Sequence, residues 1–267
     1  MQIKILTYNV LDGGAGREAL ILEVLQHARP DVVILEEVYE QAFVEYLGQA
    51  LDMPSFFGES NRQRHVALLS HFPVESFQSH HPNPPIWRNF IEAELNYLPG
   101  KRLRLFGVHL MAGLELPLEI WRWWEAQTIL SQVRRSQNER AAQEKRDPKD
   151  EPCLIGGDFN AIASYDVVDR RRMPLWMQVM IVLQGNRVYR TSLNAFQKAG
   201  FIDSFRRLVP LAHGFTYPAA RPYTRLDYLL VNAALAPAIR RCQVVTVPEA
   251  ARTASDHYPL LLELELE

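Results

Sequence analysis

The sequence of 267 residues is 48% hydrophobic and 22% charged, which excludes disordered, collagen-like and low-complexity chains. Its 29 basic and 31 acidic residues give a net charge of −2, so a nucleic acid would have to bind at a local basic patch. No apolar run approaches the roughly 20 residues of a transmembrane helix. The length fits one large domain or two small ones, and we expect a single domain over residues 1–267.

The first residues and the cysteines indicate the compartment. Residues 1–6 lack the basic region, apolar region and cleavage site of a secretory signal, which predicts a cytoplasmic protein. Cys153 and Cys242 form no C-x-x-C pair, which argues against a disulfide framework or a thiolate zinc site. We expect both cysteines to be small buried residues.

Nine apolar runs have the character of β-strands. They are Ile3–Val10, Asp31–Glu37, Val66–Ser70, Phe90–Leu95, Arg102–Leu110, Cys153–Gly156, Arg225–Val231, Gln243–Val247 and Tyr258–Glu265. Helical spacing and capping residues predict helices over Arg17–Ala28, Glu40–Ala50 and Thr191–Ala199. Because several strands follow one another without a helix, the pattern favours a layered α/β protein with antiparallel or mixed sheets.

Helical insertions are expected near residues 115–150 and 165–190. The first begins at Glu115 as one long helix, on which Trp121 and Trp124 share a face and are expected to pack on the sheet. The second has Arg170–Arg172 before the apolar stretch Leu175–Leu183. This pattern fits contact with anionic lipid, contact with a nucleic-acid backbone, or an ordinary buried helix with a solvated start.

Polar residues that a core would not choose stand at the ends of these strands or within them. These residues are Asn9, Glu36, Glu37, His109, Asp158, Asn160, Asp227, Asp256 and His257. If the strand ends meet at one edge of the sheets, the side chains form an oxygen-rich site. Oxygen ligands without zinc-type spacing favour Mg²⁺ or Mn²⁺, and such a cation beside carboxylates and imidazoles is typical of phosphate-ester hydrolysis.

Two other catalytic patterns are discarded. Ser255, Asp256 and His257 are contiguous, but adjacent residues rarely point at each other, and a Gly-x-Ser-x-Gly turn is absent. The glycines of Gly13–Gly16 follow a strand but lack the Lys-Ser/Thr of a phosphate-binding loop.

Seven short stretches, spread over nearly the whole chain, form a series that is typical of one family. They are Thr7–Val10, Leu35–Val38, Val66–Val74, Gly107–Leu110, Gly156–Asn160, Arg225–Tyr228 and Ser255–Pro259. In this order they resemble the endonuclease/exonuclease/phosphatase superfamily, the DNase I-like metal-dependent phosphoesterases. The resemblance implies an α/β fold, a four-layer sandwich of two central mixed β-sheets flanked by helices, with the site at one edge.

The resemblance also implies roles for individual residues. Glu37 would be the principal metal ligand, with Asn9 and Asp256 near the metal. Asp158 would orient or deprotonate the attacking water, and Asn160 would hold that water or a phosphate oxygen.

Two histidines complete the implied machinery. His257, paired with Asp227, would stabilise the phosphoryl oxygens, and His109 would donate to them from another side. Because adjacent strand residues face opposite ways, Glu36 and Glu37 should not both bind one ion. The family commonly has glycine before Val66, where this sequence has Arg64 and His65, and His65 is either a substrate-pocket residue or a strand-edge residue.

The catalytic residues do not select the substrate, because nucleases, inositol-lipid phosphatases and sphingomyelin phosphodiesterases of this superfamily share them. We expect hydrolysis of phosphodiester bonds in a nucleic acid or nucleotide. The alternatives are a phospholipid or inositol-lipid phosphodiesterase or phosphatase with peripheral membrane contact, and a non-catalytic binding scaffold. The candidate substrate-binding residues are Arg225, Arg221, His65 and Trp87.

Overall fold

A computed structural model describes residues 1–60, 63–81, 88–145 and 147–267. Within these ranges the strands are β1 (Gln2–Asn9), β2 (Val32–Val38), β3 (Ser55–Gly58), β4 (His65–Ser70), β5 (Val74–His80), β6 (Phe90–Leu98), β7 (Lys101–His109), β8 (Cys153–Asp158), β9 (Ile202–Asp203), β10 (Asp227–Val231), β11 (Ile239–Val244) and β12 (Leu260–Glu265). They form two six-stranded sheets, with the order β11-β12-β1-β2-β4-β3 in the first and β5-β6-β7-β8-β10-β9 in the second.

The described residues form six α-helices, four of which cover the outer faces of the two sheets. They are α1 (Glu18–Ala28), α2 (Gln41–Leu51), α3 (Leu116–Glu144), α4 (Leu175–Leu183), α5 (Thr191–Lys198) and α6 (Ser204–Leu208). Leu25 of α1 and Leu47 of α2 pack on the first sheet, while Ile129 of α3 and Phe196 of α5 pack on the second. Each sheet contains parallel and antiparallel pairs. The predicted four-layer α/β sandwich with mixed sheets is therefore confirmed.

Strand β1 illustrates why the central strands are apolar almost throughout. Ile3 and Ile5 point into the core between the two sheets, whereas Leu6 and Tyr8 point into the outer layer beneath the helices. Because side chains alternate across a strand, a strand covered on both faces needs apolar residues in both registers. In β1 the amide of Asn9 accordingly stands at the last residue of the strand.

The structure differs from the sequence-based assignment at the sheet edges. The edge strands β3, β5 and β9 and the short helix α6 were not predicted, because they are short or largely exposed and lack a clear apolar pattern. The predicted strand Gln243–Val247 overlaps only the end of β11. Both cysteines are buried, as expected. Across the described part of the chain, every helix is too short or too polar to span a bilayer.

Candidate active site

Strand direction brings the predicted polar residues to one edge of the sandwich. Strands β1 and β2 run parallel, as do β7 and β8, so the pairs Asn9 with Glu36 and His109 with Asp158 lie in register at the strand ends. Strand β10 runs antiparallel to β8 and begins at Asp227, which faces Asp158. The start of each antiparallel strand thus meets the end of its neighbours.

Gly157 allows the close approach of β7 to the strand that carries Asp158. Its φ is +150°, and a β-carbon at this position would lie 1.8 Å from the carbonyl oxygen of Val108. A larger residue would therefore push β8 away from β7. The glycine keeps His109 and Asp158 on adjacent, hydrogen-bonded strands.

Asp158 is the most heavily hydrogen-bonded acid of the site. Its carboxylate accepts hydrogen bonds from Asn9 Nδ2 at 3.0 Å, from the backbone N–H of Asn160 at 2.8 Å and from Asn160 Nδ2 at 3.0 Å. The side chain is only 1% exposed, and this burial raises the pKa of Asp158 above its ordinary value. A carboxylate of this kind is a better proton acceptor at neutral pH than a solvated aspartate.

His257 carries a positive charge between two acids. Its Nδ1 donates to Asp227 Oδ2 at 2.9 Å, and its Nε2 lies 3.8 Å from Asp158 Oδ2. Burial alone would lower the pKa of His257, but the carboxylates of Asp227 and Asp158 outweigh it and raise the pKa to about 10. The imidazole is therefore protonated at neutral pH and has donors to offer to an anion.

His109 has the opposite protonation state. Its Nε2 lies 3.6 Å from both Glu37 Oε1 and Asp158 Oδ2, and neither ring nitrogen has a hydrogen-bond partner among the described residues. Burial, together with the nearby Arg88, holds the pKa of His109 well below its ordinary value. A buried polar group without a hydrogen-bond partner is rare in proteins, so this neutral ring is available to bind a substrate atom.

A β-bulge separates the two acids at the end of β2. The pairing of β2 with β4 shifts register between Glu36 and Val38, and Glu37 has a φ of 60°. Glu36 stays fully buried and accepts a hydrogen bond from the Thr7 hydroxyl at 2.5 Å, and burial raises its pKa well above the ordinary value. Glu37 instead lines the cleft, so only one of the two acids faces it.

Arg64 is a site residue that the sequence analysis missed. Its Nη1 donates to Glu37 Oε1 at 2.6 Å, and its Nη2 donates to Asp12 Oδ1 at 3.1 Å. The departure from the family pattern at positions 64 and 65 was the available signal, but only His65 was predicted to have a role. His65 begins β4, and its Nδ1 accepts a hydrogen bond from the Ser60 N–H at 2.8 Å.

The other three residues that were predicted to bind substrate lie in different environments or outside the described residues. The prediction for Arg225 is wrong, because its side chain is fully buried and donates to Asp166 and Asp203. Arg221 is exposed, and its Nη2 lies 3.4 Å from the Arg171 carbonyl oxygen. Trp87 lies outside the described residues.

Five of the predicted polar site residues lie together in a cleft of about 270 Å³. Glu37, Asp158, Asn160, Asp256 and His257 all line it, and Arg64 is the only arginine or lysine among the described lining residues. The wall beyond the acids is apolar, which the sequence analysis did not predict. It comprises Leu114, Ile162, Val168, Met173, Trp176, Met177, Met180, Tyr217 and Tyr223.

The donor set fits a divalent cation. Ligand atoms of Asp158, Asp227 and His257 lie within 4.8 Å of one another. A protonated imidazole has no free lone pair, so His257 is a poor ligand, and the carboxylates of Glu37 and Asp256 in the same cleft are better ones. Oxygen ligands of this kind suit a hard cation.

A profile of the endonuclease/exonuclease/phosphatase family matches residues 6–257 of the chain. The fold is similar to the structure of a 3′ phosphatase, NExo from Neisseria, bound to a product DNA hairpin, with a TM-score of 0.72, 20% identity, and 99% of this chain and 100% of that chain covered. An AP endonuclease from Archaeoglobus fulgidus gives a TM-score of 0.71 at 20% identity, with 99% and 100% covered.

D. rerio TDP2 complexed with a single-strand DNA product has a TM-score of 0.68 at 18% identity, with 99% of both chains covered. At these identities the structural matches establish the fold, and no curated protein matches the sequence significantly. The family profile spans nearly the whole chain, including the strand ends that carry Glu37, Asp158 and His257. The chain belongs to the endonuclease/exonuclease/phosphatase family, and its relatives are phosphoesterase hydrolases.

Proposed function

We propose that the protein is a divalent-metal-dependent phosphoesterase that hydrolyses phosphodiester bonds. One observation carries the proposal. Asp158 is a buried acid with a raised pKa, and it lies 3.6 Å from a neutral imidazole and 3.8 Å from a charged one. A base beside two donors of different charge is what attack by water on a phosphate ester requires.

In the proposed reaction Asp158 takes the proton of the attacking water. Asn160, whose Nδ2 donates to both Asp158 and the Leu110 carbonyl oxygen, holds the base in position. The charged His257, fixed by Asp227, stabilises the phosphoryl oxygens, and His109 contacts them from the other side. All four groups act from positions that the fold holds before the substrate arrives.

Glu37, Asn9 and Asp256 would hold the cation, for which we propose Mg²⁺ or Mn²⁺. When bound, such an ion neutralises the phosphoryl oxygens and stabilises the leaving oxygen. Asn9 Nδ2 donates to Asp158, so the same side chain connects the proposed metal side of the site to the proposed base.

The first candidate substrate is a nucleic acid or nucleotide. Two of the structural relatives are bound to DNA products, and the aromatic rings of Trp176, Tyr217 and Tyr223 in the cleft wall can stack on a base. The second candidate is a phospholipid. The apolar wall of methionines next to the acids, with Arg64 as its only lysine or arginine in the described lining, favours an ester that has an apolar group on one side of the phosphate.

The test uses one diester and one monoester. The purified protein is incubated with bis-p-nitrophenyl phosphate and with p-nitrophenyl phosphate, each with Mg²⁺, with Mn²⁺ and with a chelator. We expect metal-dependent cleavage of the diester that the chelator abolishes. Cleavage that persists in excess chelator contradicts metal dependence. A wild-type protein as inactive as Asp158→Asn in the presence of metal indicates a non-catalytic scaffold.

A single-stranded oligonucleotide and mixed micelles of phospholipid then separate the two substrate candidates. Release of a phosphorylated product from the micelles alone supports the phospholipid candidate. Cleavage of the oligonucleotide alone supports the nucleic-acid candidate instead.

A further inference from the structure

Helix α4 exposes an apolar stripe to solvent. Leu175, Val179, Val182 and Leu183 are 75%, 48%, 65% and 77% exposed, and Ile181 is the only buried residue that the structure describes in this helix. Their spacing of i, i+4, i+7 and i+8 places them on one face. Gln178 is the only polar residue of α4, so both the inner and the outer faces are apolar.

The beginning of α3 repeats this spacing. Leu116, Ile120, Trp123 and Trp124 are all exposed, and the two tryptophan rings contact each other with centroids 5.0 Å apart. The charged residues of the same turns, Glu119 and Arg122, are buried and paired with each other at 3.0 Å. The exposed surface of residues 116–124 is therefore uncharged.

The two exposed stripes adjoin each other at the cleft. Gln184, directly after α4, accepts a hydrogen bond at its Oε1 from the Leu116 N–H at 3.1 Å. Helix α4 also forms part of the cleft wall through Trp176, Met177 and Met180. Together the two stripes form an apolar rim of eight residues: Leu116, Ile120, Trp123, Trp124, Leu175, Val179, Val182 and Leu183.

Arginines flank the apolar rim. All five charged residues between positions 170 and 190 are arginines, although the whole chain has a net charge of −2. Arg170, Arg171, Arg172 and Arg187 are exposed. A cationic border beside exposed leucine, valine and tryptophan side chains complements a surface that is anionic outside and apolar beneath.

We propose that the apolar rim and its arginines bind the surface of a lipid bilayer that contains anionic phospholipid. A second copy of the chain would bring the same arginines against each other, which opposes dimerisation through this face. A nucleic acid would pair with the arginines but would leave the eight apolar side chains of the rim against water or phosphate. A bilayer can bind both features, because its anionic headgroups would contact the arginines and its acyl chains would contact the apolar rim.

Docking would bring the mouth of the cleft to the level of the lipid phosphates. This inference does not rest on the proposed catalytic function, because binding can be measured without turnover. If both hold, the ester enters the cleft with its apolar part along α4.

The test is cosedimentation with sucrose-loaded vesicles of phosphatidylcholine, with or without about 30% phosphatidylserine. We expect binding to the anionic vesicles that weakens about fivefold for each arginine in Arg171→Gln and Arg187→Gln. The quadruple variant Leu175→Gln, Val179→Gln, Val182→Gln and Leu183→Gln should lose binding to both vesicles. These four residues are not in the cleft lining, so hydrolysis of the soluble diester should not change.

Two matched control variants replace apolar or arginine side chains that lie outside the apolar rim and its arginines. Tyr46→Gln with Val247→Gln replaces exposed apolar residues outside α3 and α4, and Arg241→Gln with Arg252→Gln replaces exposed arginines. Both should bind vesicles like the wild type. The proposal is overturned if the wild type binds neither vesicle, if the quadruple variant binds as well as the wild type, or if the quadruple substitution only converts a dimer to a monomer.

Discussion

Asp158 and Asp227 face each other across the antiparallel strands β8 and β10, and the imidazole of His257 contacts both. Two buried acids so close together would repel each other, and the charged ring offsets that repulsion. The arrangement leaves Asp227 tied to the ring by a 2.9 Å hydrogen bond, while Asp158 keeps the longer contact of 3.8 Å. We therefore expect Asp158, rather than Asp227, to exchange a proton with water.

Replacing Asp158 tests its role as the base. We expect Asp158→Asn to lower kcat on a soluble diester by at least about 100-fold, since the amide cannot take a proton. The exposed Asp150→Asn should retain wild-type rates. Thermal unfolding of both variants shows whether the fold is kept. A folded Asp158→Asn variant with more than about a tenth of wild-type activity contradicts the assignment.

Arg64 occupies the carboxylate of Glu37 and would compete there with the proposed divalent cation. We expect Arg64→Gln to bind Mg²⁺ or Mn²⁺ about fivefold more tightly, because the partly exposed Arg64–Glu37 pair is worth at most about 1 kcal/mol. Isothermal titration calorimetry measures the affinity directly. Arg64→Lys, which keeps the charge, should stay close to the wild type. Unchanged or weaker metal binding by Arg64→Gln would show that the guanidinium does not oppose the cation.

The correction for Arg225 has a measurable consequence for stability. Arg225→Met leaves Asp203 buried without its cation and Asp166 with Arg206 as its remaining one, and we expect the free energy of unfolding to fall by about 3–5 kcal/mol. The exposed Arg221→Met should change it by less than about 0.5 kcal/mol. Urea denaturation measures both values. A loss below about 1 kcal/mol for Arg225→Met would mean that the buried ion pair contributes little.

Glu125 makes the stability of the fold depend on pH. Burial raises its pKa from 4.5 to about 7, although the Met111 N–H donates to it. Between these two values the folded protein holds a proton that the unfolded chain has released, so this contribution is complete below pH 4.5 and is lost as the pH rises through 7.

We therefore compare wild type with Glu125→Gln, which keeps a hydrogen-bond acceptor for Met111 and removes the titration. From pH 5 to pH 8 the free energy of unfolding of the wild type should fall by about 3 kcal/mol more than that of the variant. Parallel pH profiles for the two proteins would contradict the raised pKa.

The position of the site could be predicted from the sequence because apolar strands end abruptly in polar residues. Asn9, His109 and Asp158 each terminate a strand that is buried on both faces, and no packing reason explains them there. Arg64 could not be predicted in the same way. Its contact with Glu37 depends on the bulge in β2, and an irregular pairing leaves no periodic signal in the sequence.

The orientation of α3 was also predicted incorrectly. Trp124 was expected to pack on the sheet, yet it is 51% exposed. The helix instead buries Glu119, which accepts hydrogen bonds from Ser192 of α5, and Arg122, which donates to the Met111 and Gly113 carbonyl oxygens. A prediction from the hydrophobic pattern of a helix places charged residues such as these on the solvent side. Their tertiary hydrogen-bond partners leave no signal in that pattern.

Because of the β-bulge at Glu37, the neighbouring residues Glu36 and Glu37 should differ in their tolerance to substitution. At position 36 the carboxyl group is buried beside the Thr7 hydroxyl and burial raises its pKa well above the ordinary value, so glutamine would preserve both its size and its hydrogen bond. At position 37 the same exchange would remove the negative charge that faces Arg64. Glutamine can therefore replace glutamate at position 36 but not at position 37, where the β-bulge interrupts the regular strand.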